Sequence, residues 1–336
     1  MSSTSIGDLA QSFMLRHRNT ALKQEMARLT TELSTGQVAD TRAVLGGNYS
    51  YLTEIERKLE TLSGYNVATT EANHMASAMQ SALERVESLG TDLSLSLIAA
   101  GTSAVGTSKS VVAADARNAM AALVGTINSN IAGRSMFSGT ATDRAPLPDD
   151  NTLLDALKTA ITDAGATTPA DILTAAADWF DDPAGYAATA YQGSADALAP
   201  MALSETESVR LNIRATDPDL KTMLRLTALA ALAEDPALAL SEAQQTELFE
   251  ATGQQMLAGR DGITSLRAAV GFAESRIEQV SSRNAAEKTS LDYAKTNLVA
   301  SDPYDAATKL EEVQFQLQSL YSVTVRMSQL SLVNFL

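Results

Sequence analysis

Both ends of the chain carry apolar residues at the alternating three- and four-residue spacing of a heptad repeat. In the N-terminal segment these residues form what we call the N-terminal seam: Leu15, Leu22, Met26, Leu29 and Leu33. The residues of the C-terminal seam are Leu310, Val313, Leu317, Leu320 and Met327. Such spacing places each set on one stripe of an α-helix and predicts that each helix packs against a partner helix.

The partner of these stripes is either the same chain or another molecule. Neither terminal segment is accompanied in sequence by a third layer that would cover its stripe. We therefore favour burial between molecules and interpret both seams as an assembly interface, which points to assembly before catalysis. Burial within one chain is the alternative, and it requires the two ends of the chain to lie together.

Composition limits the kinds of partner. The chain has 336 residues, of which 45% are hydrophobic but only 5% aromatic, so its apolar content suits helix seams. Its net charge of −15 argues against binding to nucleic acid. There is no apolar run long enough to span a membrane, and the first residues contain no pattern of a cleaved signal peptide. We expect neither a nucleic-acid nor a membrane partner.

The charge is concentrated in the middle of the chain. Residues 141–250 contain 19 acidic and six basic residues and seven of the eight prolines, whereas the remainder contains 21 acidic and 19 basic residues. Nearly neutral helices can associate with copies of themselves at little electrostatic cost, while an acidic segment stays in water and resists aggregation.

The same periodicity predicts mostly helix along the chain. Long helices are expected over 6–33, 52–100, 110–133, 242–299 and 303–336, and short ones over 153–164 and 168–180. Residues 207–214 alternate apolar and polar side chains and predict a strand, which could pair with 197–203. Asn284 interrupts the stripe of the helix over 242–299, where a polar residue can fix the register of a coiled coil.

These elements define a mainly α fold class. We expect a long antiparallel helical rod, a coiled-coil bundle built from both termini, with a small central α+β lobe. Three domains are predicted: a terminal coiled-coil domain (1–45 plus 301–336), a helical rod core (46–140 plus 216–300) and an outer acidic lobe (141–215).

Residues that could carry chemistry are scarce. The only histidines, His17 and His74, fall within predicted helices, and no zinc, phosphate-loop or nucleophile motif is present. The adjacent aromatic residues Trp179 and Phe180 are best interpreted as core of the lobe. We predict no catalytic, cofactor-binding or metal-binding residues, and hence no enzyme.

Three segments resemble a known family. Residues 301–336 (SDPYDAATKLEEVQFQLQSLYSVTVRMSQLSLVNFL) resemble the C-terminal helix shared by bacterial flagellins and hook–filament junction proteins. The segment ELSTGQVAD (32–40) resembles the family's N-terminal turn, and SMFSGTATDRAPL (135–147) resembles the exit from the rod in the junction proteins. The resemblance covers about 1–140 and 205–336. Two features depart from the family pattern: the loop TRAVLGGNYS (41–50) and the helix-rich lobe.

The resemblance implies a non-enzymatic axial protein of the bacterial flagellum. Such a protein is exported through the flagellar type III apparatus, with an export chaperone and without signal cleavage, to the extracellular flagellum. It assembles with itself into a homo-oligomeric ring, between another hook-associated junction protein and flagellin. A filament flagellin is the nearest alternative, and a cytoplasmic coiled-coil scaffold or an enzyme in the middle lobe is a more distant one.

Overall fold

The computed structural model describes residues 5–102 and 106–333; of these, the side chains of 5–9, 43–44, 106–108 and 327–333 are not described. It is mainly α-helical, which confirms the predicted class. The helices, which we number in chain order, are α1 (Ser5–Thr35), α2 (Thr41–Leu45), α3 (Ser50–Thr102), α4 (Gly106–Ile127), α5 (Asp150–Asp163), α6 (Pro169–Asp181), α7 (Tyr186–Thr189), α8 (Pro218–Leu232), α9 (Glu242–Val299) and α10 (Pro303–Val333).

Two short antiparallel hairpins accompany these helices. Strands β1 (Asn130–Ile131) and β2 (Arg134–Ser135) form one, and β3 (Met201–Ala202) and β4 (Ser208–Val209) form the other. Among the described helices, none is long and apolar enough to cross a membrane.

The chain divides into two compact units. The terminal unit contains residues 1–63 and 285–336, and the central unit contains residues 64–284. Helices α3 and α9 contribute residues to both. The division into three domains, with a separate acidic lobe, stays a prediction.

Helix α8 is the centre of the core of the central unit. Its N-terminus is capped by Asp217, whose side chain accepts a hydrogen bond from the backbone N–H of Asp219, and Pro218 takes a first-turn position. The ten buried residues of α8 are Leu220, Met223, Leu224, Leu226, Thr227, Ala228, Leu229, Ala230, Ala231 and Leu232. Because α8 is apolar on nearly all sides, it lacks a single stripe, and heptad spacing does not reveal it.

The helices of the acidic middle segment pack around a small aromatic cluster. Phe180 at the end of α6 stacks on Tyr186 of α7 with ring centroids 4.8 Å apart, and Trp179 meets Phe180 edge to face. Tyr186 is fully buried and its hydroxyl donates to the carbonyl of Ala215, 2.9 Å away. The interpretation of Trp179 and Phe180 as core is therefore confirmed.

Two predicted element boundaries are wrong. The third long helix was expected to reach residue 133 but ends at Ile127, because Ala132 and Gly133 both have positive φ and form the two-residue turn of the β1–β2 hairpin. The strand predicted over 207–214 keeps its buried face at Val209, Leu211 and Ile213, but only Ser208 and Val209 pair with another strand.

Helix α9 holds the β3–β4 hairpin through polar contacts. Asn284, buried on α9, donates from Nδ2 to the carbonyl of Leu203 at 2.9 Å. Glu207 in the same hairpin pairs with Arg276, at 2.9 Å, and with Arg283. Asn284, the polar residue that interrupts the apolar stripe of α9, therefore attaches the hairpin to this helix.

Helices α3 and α9 approach closely in the central unit. A Cβ atom at Gly253 would lie within 3.0 Å of Leu97 and of the carbonyl of Ser94, so glycine is required for this approach. Nearby, Glu87 of α3 accepts from Arg267 at 2.5 Å and from Arg260 at 3.2 Å. These hydrogen bonds hold the pKa of Glu87 below its usual value, and the bond from Arg267 has the largest effect.

Replacing Glu87 should make the central unit less stable and less sensitive to acid. A carboxyl with a lowered pKa in the folded state contributes stability above its unfolded pKa, about 4.3. That contribution disappears as the pH falls through the folded pKa. Glu87→Gln should lower the free energy of unfolding at pH 7 by about 1–2 kcal/mol and by little at pH 3, measured by urea denaturation.

The matched control is Glu84→Gln. Glu84 lies one turn earlier on α3, 3.8 Å from Arg267, and its carboxyl is mostly exposed. An exposed ion pair contributes little, so this variant should unfold like the natural chain at both pH values. Equal effects at Glu84 and Glu87 would contradict the account.

Candidate functional site

The terminal helices α1 and α10 pack on each other as an antiparallel pair. At one end of the pair, Gln37, just after α1, forms an antiparallel bridge with Ala300, just before α10. Further along, Asn19 and Lys23 of α1 hydrogen-bond the hydroxyl of Tyr321 and lower its pKa. Early residues of α1 therefore lie opposite late residues of α10.

The middle of the two seams forms the apolar core of this pair. Leu29, Val313 and Leu317 are buried in one cluster, with exposed fractions of 1%, 8% and 6%. Leu22, Met26 and Leu310 pack against this cluster and are partly buried. The structure thus brings six of the ten predicted interface residues together, within a single chain.

The other four seam residues lie differently. Leu15 and Leu320 are half-buried, whereas Leu33 at the end of α1 is 43% exposed. Met327 belongs to α10, but its side chain lies outside the described residues. Since much of the seam is covered within the chain, the surface left for other molecules is found elsewhere on the pair. An assembly role for the seams stays a prediction.

Ion pairs reinforce the seam along its flank. Arg28 donates to Glu25 and, at 2.6 Å, to the buried carboxylate of Glu32. The hydrogen bond from Arg28 lowers the pKa of Glu25. The positive charge of Lys309 on α10 lowers it further. Lys309 itself pairs with Asp305 at 2.6 Å, a contact that raises its pKa.

The turn after α1 is fixed by the same carboxylate. Glu32 accepts a second hydrogen bond, at 3.0 Å, from the backbone N–H of Ala39. Gly36 has a φ of +67° and ends the helix by donating to the carbonyl of Glu32. Its own carbonyl accepts from the N–H of Ser301, which joins the turn to the start of α10. The segment 32–40, which resembles the family's N-terminal turn, thus positions the two terminal helices.

Large apolar side chains lie exposed on the surface of the pair. They are Phe13 and Met14 on α1 and Tyr304, Phe315, Tyr321, Val323 and Val325 on α10. Sequence reasoning missed them because it followed only the heptad stripe. The sequence did contain a signal for them. Aromatic residues such as Phe13 and Phe315 lie two positions away from a seam residue and so cannot point into the seam.

Shallow grooves accompany these side chains. A groove of about 820 Å³ on α1 includes Phe13, Met14 and Arg18 in its lining. A smaller one, of about 250 Å³, lies between Arg18 of α1 and Phe315 and Val323 of α10. Both are open and line a helix surface, which is typical of a site for another helix rather than for a small molecule.

A third groove lies in the central unit and has a different character. It measures about 540 Å³ and lies between α3 and the β1–β2 hairpin, with Val67, Ile131 and Met201 in an apolar lining. His74 is exposed at this groove, as His17 is on α1. In the part of the chain that the structure describes, no group of three or more acidic, His or Cys side chains is placed to hold a metal ion.

Part of the chain matches the model of a known protein family. Residues 254–336, which comprise most of α9 and all of α10, match the model of the bacterial flagellin C-terminal helical region. This match confirms that the C-terminal segment of the chain resembles the corresponding segment of bacterial flagellins. No curated protein sequence matches the chain significantly.

Two solved structures are similar in fold. One is a putative flagellar hook-associated protein from Vibrio parahaemolyticus, with a TM-score of 0.50 and 12% identity over 75% of this chain and 99% of that one. The other is FlgL from Bacillus cereus, with a TM-score of 0.52 and 12% identity over 73% of this chain and 100% of that one. At this identity the similarity concerns the fold, and it confirms the resemblance to hook-associated proteins at that level.

Truncating the centre of the seam should loosen the terminal pair. Leu29→Ala removes a fully buried side chain and should destabilise the α1–α10 contact by about 2–4 kcal/mol, because the cavity is not refilled. Amide hydrogen exchange along α10, from Leu310 to Leu320, should accelerate accordingly.

Leu33→Ala on the same helix is the matched control. Its side chain is 43% exposed, against 1% for Leu29, so the same chemical change should alter exchange much less. If Leu33→Ala accelerated exchange as much as Leu29→Ala, the seam would not be the contact that holds the pair.

Proposed function

We propose that this chain is a structural axial protein of the bacterial flagellum, a hook–filament junction protein of the FlgL type. The observation that carries the proposal is the terminal helix pair. Its C-terminal helix lies in the segment that matches the flagellin C-terminal region, and both of its helices expose large apolar side chains. Proteins rarely expose such side chains together unless another molecule covers them.

The distribution of charge supports assembly through the chain ends. Outside residues 141–250 the chain is nearly neutral, so copies can associate there with little repulsion. The acidic residues 141–250 favour hydration and oppose aggregation. This combination suits a protein that polymerises through its terminal helices and keeps its middle segment in water.

The partners follow from this role. The protein forms a homo-oligomeric ring, with another hook-associated junction protein on the hook side and flagellin on the filament side. An export chaperone holds it before secretion, and it leaves the cell through the flagellar type III apparatus without signal cleavage. Its function is mechanical, and we expect no catalytic activity.

A filament flagellin is the second candidate. The matched family model describes the C-terminal region of flagellin, which favours this reading of α9 and α10. The similarity of the fold to two hook-associated proteins favours the junction role instead. The two roles differ in location, since a flagellin extends along the whole filament and a junction protein is confined to its base.

A charge in the centre of the seam should abolish assembly. Leu317→Asp places a carboxylate in the apolar cluster of Leu29 and Val313, where it has no partner and cannot be hydrated. Bacteria with this variant as their only copy should lose filaments and swimming motility, while circular dichroism of the purified protein retains most of the helical signal.

Gln318→Asp, at the next position of α10, is the control. Gln318 is exposed, so the same charge stays in water and motility should be kept. Normal motility of the Leu317→Asp strain would contradict assembly through the terminal helices.

A further inference from the structure

The groove of about 540 Å³ in the central unit, which we call the central groove, has a mainly apolar lining. Helix α3 forms one wall, to which Val67 and Met75 contribute. Ile131 of β1 and, from the segment that leads into β3, Leu198 and Met201 form the other walls. Sites for small molecules typically have volumes of about 300–1,000 Å³ and a lining of this kind. The central groove therefore has the size and the lining of a small-molecule site.

Contacts around the central groove hold its walls in place. Arg134 of β2 pairs with Glu71 of α3 and so connects the β1–β2 hairpin to the helix. The β3–β4 hairpin is attached to α9 by the hydrogen bond of 2.9 Å from Asn284 to the carbonyl of Leu203. A site whose walls are already placed costs a ligand little ordering of the protein.

The charges at the central groove compensate each other. Among the described residues that line it, Glu71 is the only acidic one and Arg134 the only lysine or arginine, and the two form an ion pair. A charged ligand would therefore lose hydration on entering the groove without meeting a free counter-charge, which costs free energy. A neutral ligand avoids this cost.

Three polar side chains form one edge of the central groove. Asn66, Thr70 and His74 recur every four residues and so lie in one row along α3. All three are exposed, whereas Met75 in the neighbouring row is buried. The hydroxyl of Thr70 already donates to the carbonyl of Asn66, at 2.8 Å. In the described part of the chain the side chains of Asn66 and His74 have no hydrogen-bond partner, so both can serve a ligand.

We propose that the central groove binds a small, neutral and mainly apolar molecule whose polar group faces Asn66 and His74. The apolar part of the ligand lies against Val67, Ile131 and Met201, where it leaves water. The flexible thioether side chain of Met201 adapts to its shape. This inference goes beyond the proposed function and does not depend on it, because the groove lies wholly within the central unit.

The ion pair across the central groove favours a small molecule over a peptide helix. Glu71 lies in the middle of the stretch of α3 that lines the groove, and its partner Arg134 lies on the opposite wall. A helix is about 10 Å across with its side chains, so one that lay along this stretch would have to displace both paired side chains. A small molecule that fills the space beside the pair leaves it intact.

Titration of the purified full-length protein with N-phenyl-1-naphthylamine tests the site. This probe is a neutral aromatic amine with one N–H group, and its fluorescence rises when it leaves water. One molecule should bind per chain, with a Kd on the order of 10 μM for a ligand of this size. Fluorescence that does not saturate would contradict the proposal.

A matched pair of variants locates the bound probe. Val67→Glu places a carboxylate on the α3 wall and should weaken binding of the neutral probe at least about tenfold. Val111→Glu is the control, because Val111 on α4 lies outside the groove and is 60% exposed, against 66% for Val67. It should bind the probe like the natural chain. Equal binding by the two variants would place the probe elsewhere and overturn the proposal.

A charged analogue of the probe tests the preference for a neutral ligand. 8-Anilino-1-naphthalenesulfonate has the same ring system with a negative charge and should bind at least about tenfold more weakly. Glu71→Gln leaves Arg134 without its counter-charge, so it should raise the affinity for the sulfonate about tenfold and leave that for the neutral probe nearly unchanged. The control Glu84→Gln, an exposed position on the same helix outside the groove, should change neither affinity. A sulfonate affinity that Glu71→Gln does not raise would contradict the role of the ion pair.

The alternative occupant of the central groove is a segment of another protein. In that case neither probe would bind the purified chain, and Val67→Glu would lower the amount of protein in isolated flagella relative to Val111→Glu. That result would overturn the small-molecule site and leave the proposed function intact. Absence of the natural protein from isolated flagella would contradict the proposed function and leave the binding results unaffected. Circular dichroism of every variant shows whether it is folded.

Discussion

The packing of α1 against α10 is the contact on which the terminal unit depends. Leu29, Val313 and Leu317 exclude water from the interface, and the pairs that Arg28 and Lys309 form line its flank. These two helices are far apart in the sequence, and their contact joins them in one compact unit. The turn held by Glu32 and the bridge between Gln37 and Ala300 fix where the pair begins.

This contact also decides what remains exposed. With the heptad stripe turned inward, Phe13 and Phe315 lie exposed on the surface of the pair, where Phe315 lines a groove with Arg18 of α1. We infer that the covered seam stabilises one chain, whereas the exposed aromatic side chains are available to another molecule. An assembling protein needs both, because a pair that does not hold together offers no fixed surface to a neighbour.

Heptad spacing predicted the elements whose burial is confined to one stripe. The seams of α1, α9 and α10 were expected from sequence, and buried residues follow them in the described part of each helix. Helix α8 was missed because nearly all of its sides are buried, which leaves no period to detect. The turn at Ala132 was missed for another reason, since alanine rarely adopts a positive φ and the local sequence resembles helix.

The site was predicted in part. Six seam residues do meet, but sequence periodicity does not tell whether a stripe is covered by the same chain or by another. The exposure of Phe13 and Phe315 became visible only when the orientation of the two helices was known. Asn284 illustrates the same limit: its position on the stripe was evident, whereas its partner, the carbonyl of Leu203, lies 81 residues away in sequence.

The most direct test of the account is immunogold electron microscopy of isolated hook–filaments, with an antibody raised against residues 141–215. The account predicts a single band of label where the hook meets the filament. Label along the whole filament would identify a flagellin and contradict the junction role. Hook–filaments without label would contradict an axial role in the flagellum altogether.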